Sequence, residues 1–338
     1  MKQEELIDKI IESIRPFEFR TLVIGFKRPE IYDRKSHEAA FRALKIALGD
    51  EITRRMEGVE VDFEHPDLRV EIDDRFDLSL TTAPIFIGGR YRKLSREIPA
   101  SRWIHHACRG RGCPSCSHTG SLCGPSVEEL LAAPALACSG GRKALFHALG
   151  REDTDARMLG SGRPFVLEVQ GPVRRTLPLD RIAAEFADKA HHLAEVMALT
   201  HTDRLAVPAV KGAAAEKTYR TWLRIEGSVP PDAADRAQAL AGRVVHQLSP
   251  RRVMHRRGSE ICRTRRIVES EWAGEIEGRF VWEIRVESGM YIKELVSSDG
   301  GRTRPSLTEV LGMPCVCEAL DVLEIHWDPP WEARPLNR

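Results

Sequence analysis

The sequence predicts an α+β protein made of two units, and three observations predict it. Helix-period and strand-period segments are interleaved over roughly the first hundred residues, the size of a small independent module. The segment 103–124, rich in Cys, His, Gly and Ser, has no periodicity. Beyond it, helices and strands resume in a second, larger stretch. The expected division is an amino-terminal unit at 1–102, a Cys/His/Gly-rich knuckle or linker at 103–124, and a main unit at 125–330.

In the first unit, Leu6, Ile7, Ile10, Ile11 and Ile14 repeat at helical spacing until Pro16, which has no amide to donate, ends the pattern. Residues 21–26 read as a buried strand. Residues 35–56 read as a helix with Ala39, Leu44, Ile46, Leu48 and Ile52 facing inward. Short strands are expected at 69–73, 76–82 and 85–88. In the second unit, Ser126 followed by Glu129 forms a capping-box pattern and starts a helix. A strand is expected at 165–169, a helix at 180–199, a strand at 219–225 and a helix at 232–248 capped by Asp232. Residues 280–286 read as a strand and 291–297 as a short helix broken by Asp299-Gly300-Gly301. Ser306 and Glu309 repeat the capping pattern, and 319–325 alternates as a final strand.

Hydrophobic residues make up 42% and charged residues 30% of the chain, the balance of a globular protein rather than a disordered one. No apolar run reaches the roughly 18 residues that cross a bilayer. Acids among the first fifteen residues fit neither a signal nor a transit peptide, so a cytoplasmic protein is expected. The net charge of +1 provides no global field to attract nucleic acid, so any such contact must be local. The stretch 251–266 holds seven arginines and one acid, Glu260. It reads either as a solvated charge run or as a phosphate-gripping surface. The eight cysteines, in a cytoplasmic chain, argue against a disulfide framework.

Three constellations could carry chemistry. In Gly150-Arg151-Glu152-Asp153, a carboxylate flanked by Arg151, Arg157 and Arg163 would be held ionised by positive charge, although a structural Arg–Asp pair is the plainer reading. In Gly289-Met290-Tyr291-Ile292-Lys293, a strand ends at glycine and Lys293 emerges in the first turn of a helix. An unpaired cation is disfavoured there and a partner carboxylate would resolve the conflict, although an exposed lysine is the plainer reading. In Lys217-Thr218-Tyr219-Arg220, the tyrosine is either core or a ring that stacks on a nucleobase.

Taken in order, these three constellations resemble the pseudouridine synthase superfamily. The run from Gly150 through Asp153, Arg157 and Arg163 to Phe165 is similar to the archaeal and eukaryotic Pus-ten family, as are His255-Arg256-Arg257 and the stretch 291–305. Gly89-Arg90-Tyr91-Arg92-Lys93-Leu94-Ser95-Arg96 resembles part of that family's THUMP-containing RNA-binding module. The likeness covers residues 66–325. The family's amino-terminal Cys-x-x-Cys is not present. In its second Cys cluster, His105 stands where the first Cys would be, ahead of Cys108, Cys113 and Cys116. A structural zinc on these four residues is one reading, and a knuckle of free thiols is the other.

The resemblance implies a catalytic domain with a mixed, largely antiparallel sheet and flanking helices, preceded by a THUMP-like domain. It implies isomerisation of uridine to pseudouridine at T-loop positions 54 and/or 55 of tRNA, with no cofactor for catalysis, no membrane and no obligate protein partner. Asp153 would be the nucleophile, Lys293 its partner, and Tyr219 would stack on the everted base and help move its C5 proton. Arg151, Arg157, Arg163, Tyr291, His255, Arg256, Arg257, Arg90, Arg92 and Lys93 would contact the RNA. The chemistry agrees with the residues. The anomeric carbon becomes cation-like as the glycosidic bond breaks, as in glycoside hydrolysis, so a carboxylate is needed on that face either to add to it or to take the neighbouring ribose proton. A non-catalytic tRNA binder would not need all three constellations. A methyltransferase or thiolase would need a Gly-rich nucleotide-binding turn, which this sequence lacks.

Overall fold

A computed structural model describes residues 3–27, 38–256 and 260–333; of 38–41, 255, 256 and 333 it describes the backbone alone. The amino-terminal helix α1 (Gln3–Ile14) buries Leu6, Ile7, Ile10 and Ile14, one stripe at helical spacing. It and α2 (Glu38–Arg55) accompany a four-stranded sheet formed by β1 (Thr21–Phe26), β2 (Glu60–Val61), β3 (Leu68–Ile72) and β4 (Leu78–Thr82) in the order β2-β1-β3-β4. Leu22, Ile24, Leu48, Ile52, Leu68, Val70 and Ile72 complete the buried core here. Ile46, expected to face inward, is 49% exposed. Leu44, Leu48 and Ile52, four residues apart, define the inner stripe, and a residue two positions from Leu44 or Leu48 points away from it. Ala39's side chain and residues 35–37 of the expected helix lie outside the described residues.

The chain then enters a larger sheet earlier than the expected division at 102. Strand β5 (Ile85–Lys93) pairs with β7 (Ala156–Gln170) and β8 (Ala194–Thr202), not with the amino-terminal strands. The other elements of this sheet are β6 (Lys143–Ala148), β9 (Glu216–Ile225), β10 (Val244–Leu248), β11 (Cys262–Ile276), β12 (Arg279–Val286), β13 (Thr303–Arg304) and β14 (Cys315–His326). Their order is β13-β10-β11-β12-β9-β14-β7-β5-β8, with β6 beside β7. Every pairing is antiparallel except β14 with β7, so the sheet is mixed and largely antiparallel, as the resemblance implied.

Helices flank it: α3 (Val127–Ser139), α4 (Leu179–Ala190), α5 (Ala206–Gly212), α6 (Ala233–Gln238), α7 (Ile292–Ser297), α8 (Leu307–Leu311) and α9 (Pro330–Ala333). Ser126 and Glu129 close the capping box that starts α3. Two cores result, one around β5 and β7 and one around β9–β12; Tyr219 packs against both.

Two expected helices are each a helix followed by a strand. The first ends at His191 and His192, which take φ values of 42° and 69°, and the chain continues as β8. The second stops after Gln238, Gly242 turns at φ 73°, and the β-branched pair Val244-Val245 opens β10. Asp232 does not cap α6; its carboxylate accepts from Arg236 Nε at 2.9 Å instead. The strand expected at 165–169 extends back to Ala156 through a kinked glycine stretch. At Gly160 (φ 56°), a Cβ would stand 1.7 Å from the Leu323 carbonyl oxygen, so no side chain fits.

Candidate active site

The loop between β6 and β7 carries Glu152, Asp153, Thr154 and Asp155, and buried charges hold it down. The Glu152 and Arg163 side chains are 1% and 2% exposed. Arg163 donates to Glu152 Oε2 from Nε at 2.9 Å and from Nη2 at 2.8 Å, and from Nη1 to the Leu149 carbonyl at 2.6 Å. The Tyr91 hydroxyl adds a third donor to Glu152 at 3.1 Å. Lys93 Nζ donates to the Thr154 carbonyl at 2.7 Å. With its base fixed, the loop presents Asp153 at its tip, with the side chain 48% exposed.

Opposite stands the start of α7. Gly289 (φ 86°) makes the turn out of β12 that the sequence required. Gln247 brackets the backbone of Tyr291, donating to its carbonyl and accepting from its amide, both at 2.9 Å. Lys293 in the first turn places Nζ 3.8 Å from Asp153 Oδ2 and 2.6 Å from Asp155 Oδ2. Burial pushes the Asp155 carboxyl up, but the hydrogen bond and charge of Lys293 outweigh it and hold the group below its ordinary value. Asp153 has a nearer cation: Arg252 Nη1 at 3.0 Å, itself oriented by Glu294, which accepts from Arg252 Nε at 2.7 Å.

Asp153, Arg252 and Lys293 line one cleft of about 640 Å³, together with Arg151, Lys217, Tyr219 and Tyr291. Tyr291's hydroxyl accepts from Arg263 Nη1 at 2.8 Å. Tyr219 reaches the cleft from the middle of β9; burial pushes its phenol up to about 12, so it stays protonated at neutral pH. A protonated phenol is suited to stacking and to donating a hydrogen bond, and poorly suited to removing a proton.

The cleft thus brings together Asp153, Tyr219, Lys293, Arg151, Arg163 and Tyr291 among the residues singled out from sequence. Several other basic residues are engaged elsewhere. Arg90 is 8% exposed and bonds Glu332 from Nε at 2.7 Å, while Lys93 is fully buried under the loop. Both serve the interior, because burial without a partner would cost each of them several kcal/mol. Arg163 is an anchor below the loop rather than a free phosphate contact. Arg157 turns away from the cleft and gives Asp321 two hydrogen bonds, at 2.8 and 2.7 Å. Arg92 stays at the surface, bonding the Gly160 carbonyl at 2.6 Å. The side chains of His255 and Arg256, and all of Arg257, lie outside the described residues.

Sequence reasoning offered Arg252 only as one of a run of arginines that could grip phosphates, and assigned no role to Asp155 or Glu294. Asp155 was visible only as a second acid two residues beyond Asp153.

The Cys/His segment folds into a tight knuckle. One ligand atom from each of His105, Cys108, Cys113 and Cys116 lies within 4.8 Å of all the others. Cys113 Sγ is 3.6 Å from His105 Nδ1, and Cys116 Sγ is 3.7 Å from Cys113 Sγ and 3.9 Å from Cys108 Sγ. A tetrahedral zinc with Zn–S of about 2.3 Å and Zn–N of about 2.0–2.1 Å implies edges of about 3.8 Å between sulfurs and about 3.6 Å from sulfur to nitrogen. The residues therefore fit the ion. Burial raises the Cys116 thiol, but amides of Cys113 and Gly120 donating to its sulfur help bring it down to about 7, in the direction of the thiolate that a metal binds.

Comparison with known proteins gives the family. Residues 86–326 match the family described as Pus10, C-terminal. The tRNA pseudouridine synthase Pus10 of Methanocaldococcus jannaschii is 38% identical over 333 residues, covering 96% of this chain and 73% of that protein. Its namesake from Methanothermobacter marburgensis is 38% identical over 321 residues, covering 91% and 79%. A chain of a solved Cbf5-Nop10-Gar1 complex aligns with a TM-score of 0.37 and 20% identity, over 60% of this chain and 46% of that one. The chain belongs to the Pus10 family of tRNA pseudouridine synthases.

Proposed function

We propose that this isomerase acts on the T arm of tRNA, converting uridine 54, uridine 55 or both to pseudouridine, with Asp153 as the acting carboxylate. The observation that carries the reading is the convergence on one cleft of a half-exposed carboxylate, two cations beside it and a tyrosine on the adjoining strand. Asp153 serves either as nucleophile at C1′ or as base at the ribose C2′ proton. Arg252 and Lys293 fix its orientation in both cases. Tyr219 stacks on the everted base. The reaction breaks one glycosidic bond and forms another within the same nucleotide, so its balance needs no redox or group-transfer cofactor. Arg151, which lines the cleft, and Arg251 are the groups offered to phosphates, and the amino-terminal α/β unit is a THUMP-like RNA-binding module. His105, Cys108, Cys113 and Cys116 hold a structural zinc. It ties the knuckle to the cleft wall, which Ser101 and Trp103 help to line.

The test is pseudouridine mapping at each T-loop uridine of a tRNA transcript incubated with the purified chain. Asp153→Asn is expected to abolish product while tRNA still binds. Product from that variant at the wild-type rate removes Asp153 from the mechanism, and product confined to another arm removes the T-arm assignment.

A further inference from the structure

Lys217 is a charged side chain for which the reading above has no task. It precedes Tyr219 by two residues on β9, so the strand's two-residue period turns both toward the cleft that they line. Its register neighbours are Val286 on β12 and Ile325 on β14, both apolar and buried. The residue is 9% exposed, and among the described residues its ammonium has no hydrogen bond or ion pair. Gly150 leaves it room: a Cβ there would stand 3.3 Å from Lys217 Nζ and 3.4 Å from Arg163 Nη1.

Glu152, the nearby acid, is already engaged by Arg163 and Tyr91. Arg252 and Lys293 across the cleft are paired with carboxylates, and Arg263 with the Tyr291 hydroxyl. Lys217 is thus the buried lining cation that lacks an acceptor among the described residues. An unpaired ammonium on a largely buried side chain is costly, and the cost is offset when a ligand brings the missing acceptor.

Resting on the isomerase reading, we propose that Lys217 donates a hydrogen bond to a carbonyl oxygen of the everted uracil and stabilises the uracil anion as it leaves C1′. When the C1′–N1 bond breaks, its electron pair stays with the base and spreads onto the carbonyl oxygens. When C1′–C5 forms, the base returns a ring pair to C1′, the C5 proton passes to water and N1 takes one up from water, so the product is an isomer of the uridine. Lys217 keeps its proton throughout and acts by charge, aimed at the atoms where negative charge develops. The requirement is for the ammonium form, which burial beside Arg163 leaves with a pKa of about 8. On its own wall the charged or titratable neighbours are Arg163, Glu152 and Tyr219; its register partners on β12 and β14, Val286 and Ile325, and the β14 residues that line the cleft, Leu320 and Val322, are apolar. Asp153, Arg252 and Lys293 face it from across the cleft.

The test compares single-turnover pseudouridine formation on a T-arm transcript by the wild type, Lys217→Met and Lys217→Arg, with tRNA affinity measured in parallel. Lys217→Met is expected to slow the reaction about 100-fold, the scale of losing one aimed donor, with affinity within about threefold. Lys217→Arg is expected to recover at least about tenfold of that loss. The wild-type rate should fall as pH rises through about 8, where the ammonium is lost, and this limb should be absent in Lys217→Arg. Lys93 also titrates near 8, so the comparison with Lys217→Arg, which keeps the charge, decides the matter even if Lys217→Met fails to fold. A Lys217→Met rate within about threefold of wild type overturns the proposal. So does a C5-deuterium isotope effect that appears only in that variant, since it would make Lys217 a base. A wild-type chain that forms no pseudouridine would instead sink the underlying reading.

Discussion

Removing Arg163 should destabilise the whole catalytic sheet, and the size of the effect can be worked from its partners. In Arg163→Met the carboxylate of Glu152 stays 99% enclosed but loses both guanidinium donors, at 2.9 and 2.8 Å, and keeps only the Tyr91 hydroxyl at 3.1 Å. The Leu149 carbonyl loses its donor as well. Breaking a buried pair from one side costs about 3–5 kcal/mol, because an uncompensated charge remains. At about 2–4 °C per kcal/mol for a domain of this size, the melting temperature should fall by about 6–20 °C. The second arm is the double variant Arg163→Met, Glu152→Leu, in which neither charge is buried. It should recover about 2–3 kcal/mol relative to the sum of the single changes, the signature of direct coupling. Urea unfolding of the four proteins of the cycle measures this. A single Arg163→Met loss under about 1 kcal/mol, or single effects that simply add, would refute the view that this pair anchors the loop.

Arg252→Met should leave tRNA affinity near wild type while lowering single-turnover isomerisation about 100-fold, since it frees the Asp153 carboxylate held at 3.0 Å; an unchanged rate would exclude Arg252 from positioning it. Metal analysis of the purified chain should find one zinc per molecule, and His105→Ala together with Cys116→Ser should reduce it to near zero; a metal-free wild-type protein would favour free thiols. Gly160→Ala should cost more than about 1 kcal/mol in urea unfolding, because its Cβ would meet the Leu323 carbonyl in a backbone conformation at φ 56°. Stability should also rise between pH 8 and 10. Lys93 and Lys217 have folded pKa values of about 8, depressed from 10.5, so through that window the unfolded chain binds more protons and unfolding becomes harder. Above pH 10 the trend should reverse, because Tyr219 is raised to about 12 and its contribution is lost between 10 and 12. A stability curve that is flat from pH 8 to 10 would contradict the burial of both lysines.

Local signals in the sequence were read well, and signals that depend on distant partners were not. The Ser126–Glu129 capping box, the Pro16 stop and the Gly289 turn each act within a few residues, and each is where the pattern put it. The helix expected at 180–199 failed halfway because nothing in its periodicity announces that His191 and His192 adopt positive φ. What makes 194–202 a strand is the exposed edge of β5, about a hundred residues earlier. Arg90 and Lys93 misled for the same reason. A basic residue is usually solvated, and the acceptors that bury these two are Glu332 and the Thr154 carbonyl, which no local pattern connects to them.

The same distinction explains how the site is built. Its charges fall into a buried layer, with Glu152, Arg163 and Lys93 beneath the loop, and an accessible layer, with Asp153, Arg252, Asp155 and Lys293 above it. A hydrophobic layer below would be cheaper, since a buried ion pair seldom outperforms well-packed apolar side chains. Apolar packing, however, is non-directional. It would let the tip of a short loop slide, and a misplacement of about 1 Å at the reacting carboxylate costs about 100-fold in rate. Hydrogen bonds from Arg163 to Glu152 and to the Leu149 carbonyl, and from Lys93 to the Thr154 carbonyl, fix the loop on both sides of Asp153. On this view the buried charges give up stability for position. Variants that replace them together with apolar residues of similar volume should then lose less stability than the summed single replacements, and should isomerise uridine more slowly.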